Sequence, residues 1–148
     1  MSAPEPGGAG AIAAMREALQ RAGWAPTDVD YINLHGTATR HNDAMESRAV
    51  HAVLGGQVAA SSTKPLTGHA LGASGAIEAA LCWTALAENP AHRLPPHWWD
   101  GQPDPELPAL ALVAPGTVAA APLRRVLSSS FAFGGSNAVL ALQRTPGA

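Results

Sequence analysis

Apolar residues recur in different rhythms along this chain, and each rhythm predicts a different element. Residues 1–9 hold two prolines and two glycines and read as a loop. From 10 to 22 (GAIAAMREALQRA), Ile12, Met15 and Leu19 share one helical face, and Gly23 supplies the stop. Val29 to Leu34 (VDYINL) is short, β-rich and mostly apolar, which predicts a buried strand ending at His35 and Gly36. Asp43 followed three residues later by Glu46 has the spacing of a capping box, opening a helix that runs to Leu54, with Gly55 and Gly56 ending it. Val58 to Ser62 reads as a short strand, followed by a glycine-rich loop, TKPLTGHALGASG. The segment from Ala73 to Ala87 is apolar nearly all round, which predicts a central, buried helix. Pro90, Pro95 and Pro96 open a long irregular stretch containing Trp98 and Trp99. Leu110 to Val113, Val126 to Phe131 and Ala138 to Leu142 read as strands, the last two joined by the tight turn FGGSN. Strands alternating with helices, then a closing hairpin, predict an α/β layered fold. No internal repeat, low-complexity tract or linker divides the chain.

Composition narrows this picture. A length of 148 residues suits one domain and a buried core. Hydrophobic residues make up 47% and charged residues 14%, so the chain is globular, and so little charge implies surface covered by another chain or a missing segment. The net charge of -2 argues against nucleic acid, because phosphate binding needs a basic excess. Apolar runs fall short of the ~18 residues a membrane span needs. The opening MSAPEPGGAG lacks the basic-then-apolar pattern of a signal peptide. A lone Cys82 forms no internal disulfide, and the expected location is the cytoplasm.

Three stretches carry candidate chemistry. In HGTATRHND (35–43), His35 follows a buried strand, where α/β proteins place ligands. Gly36 lets a ligand approach the backbone, and Thr37 and Thr39 offer hydroxyls. A histidine that merely closes a strand and bonds its own loop reads equally well from this motif alone. In STKPLTGHALGASGAIE (62–78), Lys64, His69 and Glu78 lie on a glycine-rich loop and the helix after it. A buried lysine needs a partner, and Glu78 is the nearest obvious one. The spacing matches neither GxxxxGK[ST] nor GxGxxG, which removes a nucleotide loop. Close helix packing explains the glycines here, but not the lysine and histidine. In SFAFGGSN (130–137), two aromatics flank a small residue before two glycines, a pattern that alone reads as an ordinary hairpin.

Other candidates fail. His41, His51, His92 and His97 lack metal-site spacing, and one cysteine builds no zinc ribbon. Cys82 sits mid-helix in AALCWTAL, an apolar setting that favours an inert core thiol. Ser128, Ser129 and Ser130 show no G-x-S-x-G elbow. The tryptophans near Pro96 read as packing.

These three motifs, in this order and at these separations, resemble the C-terminal half of the β-ketoacyl-[acyl carrier protein] synthases of the thiolase superfamily. The similarity spans nearly the whole chain, through AMREALQRAG, DVDYINLHGTATRHNDAMESRAV, SSTKPLTGHALGASGAIEAA and LSSSFAFGGSNAVLAL. Two histidines, rather than a histidine and an asparagine, point to the elongating type. The resemblance implies a thiolase-like half, a mixed sheet with helices on its faces, occupying 1–148 as a single partial domain. It implies that His35 and His69 stabilise a malonyl enolate and that Lys64, paired with Glu78, orders the site. It further implies that Thr37 and Thr39 contact a phosphopantetheine arm. Phe133 matches the gatekeeping phenylalanine, whose backbone N–H contributes to an oxyanion hole, and Gly134 and Gly135 let that loop turn. No metal or diffusible cofactor is expected, since phosphopantetheine arrives on the acyl carrier protein.

Two departures stand out. Ala132 replaces the family's glycine before the gatekeeper. The family's nucleophilic cysteine lies in an N-terminal half that this chain lacks, and Cys82 matches no catalytic position. The first strand of the C-terminal half also precedes this chain. A central position for that strand predicts an exposed gap and unpaired edges. The chain then reads as a fragment, a truncated frame or one piece of a split protein.

The functions that follow compete. The chain is the catalytic C-terminal portion of a condensing enzyme, active only with its cysteine-bearing half and served by acyl carrier protein. Alternatively it is a non-catalytic partner, such as a remnant or a chain-length-determining subunit. An independent hydrolase or acyltransferase lacks a visible nucleophile.

Overall fold

The computed structural model describes residues 4–87 and 89–145. Helix α1 (Ala9–Ala22) is followed by strand β1 (Tyr31–Asn33), helix α2 (Arg40–Leu54), strand β2 (Ala59–Ser61), the one-turn helix α3 (Lys64–Thr67) and helix α4 (Ser74–Ala87). Strands β3 (Ala111–Leu112), β4 (Arg125–Phe131) and β5 (Asn137–Gln143) complete it. The five strands form one sheet in the order β3-β2-β1-β4-β5. All neighbouring pairs are parallel except the β4–β5 hairpin, which is antiparallel.

Alternation along the strands builds the layers. Ile32, Ala60 and Leu127 face one side, against Met15 and Leu19 of α1 and Met45, Ala49 and Val50 of α2. Tyr31 and Val126 face the other side, against Cys82, Ala85 and Leu86 of α4. Full burial of a side chain such as Met15 contributes roughly 1.5–3 kcal/mol over leaving it exposed. Gly23 closes α1 in the left-handed conformation at φ 69°, its N–H donating to Gln20 O while that of Trp24 donates to Leu19 O.

The structure corrects the sequence reading in three places. Helix α2 opens at Arg40 with Thr39 as its N-cap, so Asp43 and Glu46 lie inside the helix and do not form its capping box. The Glu46 carboxylate has other partners, described below. The sheet also has no internal gap: Tyr31 pairs with Ala59 on one side and Val126 on the other, leaving no room for a central strand between β1 and β4. A further strand finds open backbone only along β3 or β5. Finally, α4 is covered on one face only. Its opposite face leaves Ile77 and Trp83 exposed, because no element among the described residues packs there. Among the described residues no helix is long and apolar enough to cross a membrane.

Candidate functional site

Because β1, β2 and β4 run parallel, their carboxyl ends share one edge of the sheet. The segments leaving that edge begin at Leu34, Ser62 and Ala132. Open-sheet α/β folds place ligands at such an edge, where backbone groups leave the ladder and point outward. Two cavities near Asp30 lie at the opposite edge and contain none of the side chains below.

The motifs converge here. The rings of His35 and His69 meet edge to face, with centroids 5.5 Å apart and planes at 86°. The Phe131 ring lies 6.1 Å from His35. Lys64, from the first turn of α3, donates from Nζ to Oε1 of Glu78 on α4 and to the backbone carbonyl of His35. Its Nζ also stands 3.4 Å from His35 Nδ1. All three of His35, Lys64 and Glu78 are buried. Burial, then the Lys64 and His69 charges, pushes His35 down to about 4, so its imidazole is neutral near pH 7. An ammonium donating to Nδ1 leaves the ring proton on Nε2. Burial raises the Glu78 carboxyl, while Lys64 opposes that shift through a hydrogen bond and its charge.

His69 sits in the exposed stretch between α3 and α4, its Nδ1 2.9 Å from Oγ of buried Ser74. The Thr37 and Thr39 hydroxyls lie 2.9 Å apart at the start of α2, flanking Ala38, whose φ of 59° is left-handed. Phe133 and Gly134 belong to a 3₁₀ turn, Phe133–Gly135, that reverses the chain between β4 and β5. Gly134 adopts φ 79°, as the tight turn requires. The side chain of Phe133 lies outside the described residues. Cys82 is fully buried against the sheet, and burial pushes its thiol up to about 12, which leaves it unreactive.

Sequence reasoning missed a carboxylate at the centre of this arrangement. Glu46, 2% exposed, accepts the backbone N–H groups of His35 and Gly36, each at 2.7 Å. Burial pushes it up to about 7 against the lowering effect of those two bonds. Asp43, one turn earlier, has its Oδ1 buried without a hydrogen-bond partner, and burial raises this carboxyl too, against the lowering influence of Asn42 and of the Ala38 and Thr39 backbone. Helix α2 therefore clamps the His35 loop through Glu46. Both residues were visible in the sequence, but their spacing also fits a capping box. Only the inward direction of Glu46 separates the two.

Gly36 explains how the loops approach so closely. Its φ is 43°, and a Cβ there would lie 2.4 Å from that of Ser62. Ser62 donates from Oγ to the Gly36 carbonyl at 3.0 Å and accepts the Lys64 N–H at 3.3 Å.

Comparison with known proteins gives the same direction. Residues 1–96 match the family described as β-ketoacyl synthase, C-terminal domain. A 3-oxoacyl-[acyl-carrier-protein] synthase 2 from Synechocystis is 44% identical over 97% of this chain and 34% of its own length. A ketosynthase from Xenorhabdus doucetiae, solved in complex with its chain length factor, matches with TM-score 0.88 and 47% identity, over 98% of this chain and 36% of that one. A chain of a structure described as a type II polyketide acyl-carrier protein in complex with its ketosynthase matches with TM-score 0.85 and 30% identity, over 98% of this chain and 35% of that one. The chain spans about a third of the length of the curated relatives it matches, at 34% for the first. With its thiolase-like sheet and both histidine loops at one edge, the chain belongs to the β-ketoacyl synthase family, as its C-terminal domain.

Proposed function

We propose that this chain is the catalytic C-terminal portion of a 3-ketoacyl-carrier-protein synthase, performing decarboxylative Claisen condensation with a cysteine supplied by a cysteine-bearing half. The observation that carries this reading is the meeting of the His35 and His69 rings at 5.5 Å beside the buried Lys64–Glu78 pair. A malonyl thioester on acyl carrier protein loses carbon dioxide. The electron pair of the broken C–C bond becomes an enolate, whose oxygen takes hydrogen bonds from the two imidazoles. The enolate carbon attacks the acyl group held on the cysteine, a C–C bond forms, and the thiolate leaves.

Each residue of this chain has a task in that sequence. Burial, together with Lys64 at Nδ1, keeps His35 neutral, with Nε2–H available as a donor. Glu78 compensates the lysine's charge, since an unpaired buried ammonium is costly. Thr37 and Thr39 receive the phosphopantetheine arm, and Phe133 and Gly134 form the adjacent turn. The exposed face of α4, with Ile77 and Trp83, supports burial against the cysteine-bearing half. No metal or diffusible cofactor takes part, and the site of action is the cytoplasm.

Mixing the chain with a cysteine-bearing half and following carbon dioxide release from malonyl-carrier protein tests this. Release that disappears in His35→Ala and His69→Ala is expected. Association without decarboxylation supports instead a non-catalytic or chain-length-determining partner.

A further inference from the structure

His97 belongs to the irregular segment after α4, which none of the motifs includes. Its backbone N–H donates to the Val113 carbonyl at 2.8 Å, fixing the segment beside the end of β3. Its ring turns inward, and Nδ1 accepts the backbone N–H of Ser62 at 3.0 Å. The Trp99 ring lies tilted beside it, 6.1 Å away. Ser62 is the residue that joins the two histidine-bearing loops: its hydroxyl reaches the Gly36 carbonyl and the Lys64 N–H.

We propose that His97 is a positioning residue: its neutral Nδ1 holds Ser62, and Ser62 fixes Lys64 against the His35 loop. This rests on the catalytic reading above. A nitrogen that accepts a backbone N–H carries no proton, so the ring is neutral with its proton on Nε2. Ser62 is 1% exposed beneath the His97 ring, so a side chain that fills the ring's volume without an acceptor leaves that N–H unpaired. The backbone at 62–64 then shifts to find another acceptor. Lys64 is two residues away and depends on that backbone for its contacts with His35. Ångström-scale misplacement of a catalytic group is enough to slow a reaction substantially.

Three substitutions separate positioning from packing. The side-chain carbonyl introduced by His97→Asn reaches the place of Nδ1 and accepts the same N–H; His97→Leu fills the volume without an acceptor; His97→Ala does neither. In the chain combined with its cysteine-bearing half, His97→Ala and His97→Leu are expected to lower kcat for malonyl-carrier decarboxylation on the order of 10-fold, with KM little changed. His97→Asn is expected to stay within about threefold of the wild type. Equal activity of the leucine variant and the wild type, or equal loss in the asparagine and alanine variants, overturns the proposal. Nitrogen NMR of the wild-type chain reads the contact without any turnover. An unprotonated Nδ1 with a protected Ser62 amide is expected, and a protonated Nδ1 or a freely exchanging amide overturns the proposal. A wild type that binds its partner yet releases no carbon dioxide removes the catalytic reading, and the NMR result still decides the His97 contact.

Discussion

The loop after β1 and the loop after β2 each deliver a histidine to the same edge, but by opposite means. The first is short and buried where its histidine sits, at Leu34 and His35. His35 is held through its backbone by Glu46 and through its carbonyl by Lys64, and its ring is desolvated. The second begins buried at Ser62, Thr63 and Lys64, then runs exposed from 65 to 73, so that His69 rests on a side-chain contact with Ser74. One histidine is thus fixed by its own chain and the other is left open on one side. The difference teaches that a site at a sheet edge needs both a rigid member and an accessible one. Buried carboxylates on α2 and α4 supply the rigidity.

Breaking the buried pair is expected to have the largest effect on this contrast. Lys64→Ala leaves Glu78 in the interior without its cation, at a cost of about 3–5 kcal/mol. Urea unfolding measures it; a midpoint unchanged from wild type would show that the pair holds nothing. Gly36→Ala comes next. Its Cβ would enter left-handed backbone 2.4 Å from Ser62 Cβ, for a loss of about 2–4 kcal/mol from strain and overpacking. Gly23→Ala is the control: its backbone is also left-handed, at φ 69°, but nothing lies within 4 Å of a Cβ there. It should lose only the backbone strain, about 1–2 kcal/mol, on the same unfolding curves.

A third effect is a change in pH slope. Glu46 has its folded value raised from 4.5 to about 7, so its contribution is present below 4.5 and lost as pH rises through 7. His35 is lowered from 6.5 to about 4, so its contribution is present above 6.5 and lost as pH falls through 4. The two oppose each other between 4.5 and 6.5. Stability of Glu46→Gln should therefore climb more steeply with pH in that window than wild type, and that of His35→Asn less steeply. Denaturation at several pH values compares the slopes; coincident slopes would remove Glu46 and His35 as opposed groups. The smallest effect concerns α4. Trp83→Gln, at a side chain 58% exposed, should change the chain's own stability by no more than ~0.5 kcal/mol. Calorimetry with the cysteine-bearing half should show weaker association.

Much of the fold was legible because its signals are local. The period of Met15 and Leu19, the stop at Gly23 and the short apolar runs at Tyr31 and Val126 each predict an element whose position the structure bears out. What was not legible depends on direction. Asp43 and Glu46 sit at a spacing that suits a cap and a clamp equally, and the choice follows from which way α2 is turned against the sheet. The apolar surface of α4 announces burial without saying what covers it. The absence of a sheet gap is a matter of pairing between β1 and β4, which lie far apart in the sequence, and no local pattern encodes it.

The residues themselves determined the type of chemistry on offer: two imidazoles, an ammonium and a carboxylate on glycine-rich segments that follow strands. Tertiary structure alone decided that the imidazoles touch, that Lys64 serves His35, and that Glu46, Ser62 and His97 stand behind them. The reason is physical: identity and period are properties of neighbours along a chain, whereas burial, charge compensation and hydrogen-bond satisfaction exist only once distant segments have excluded water together.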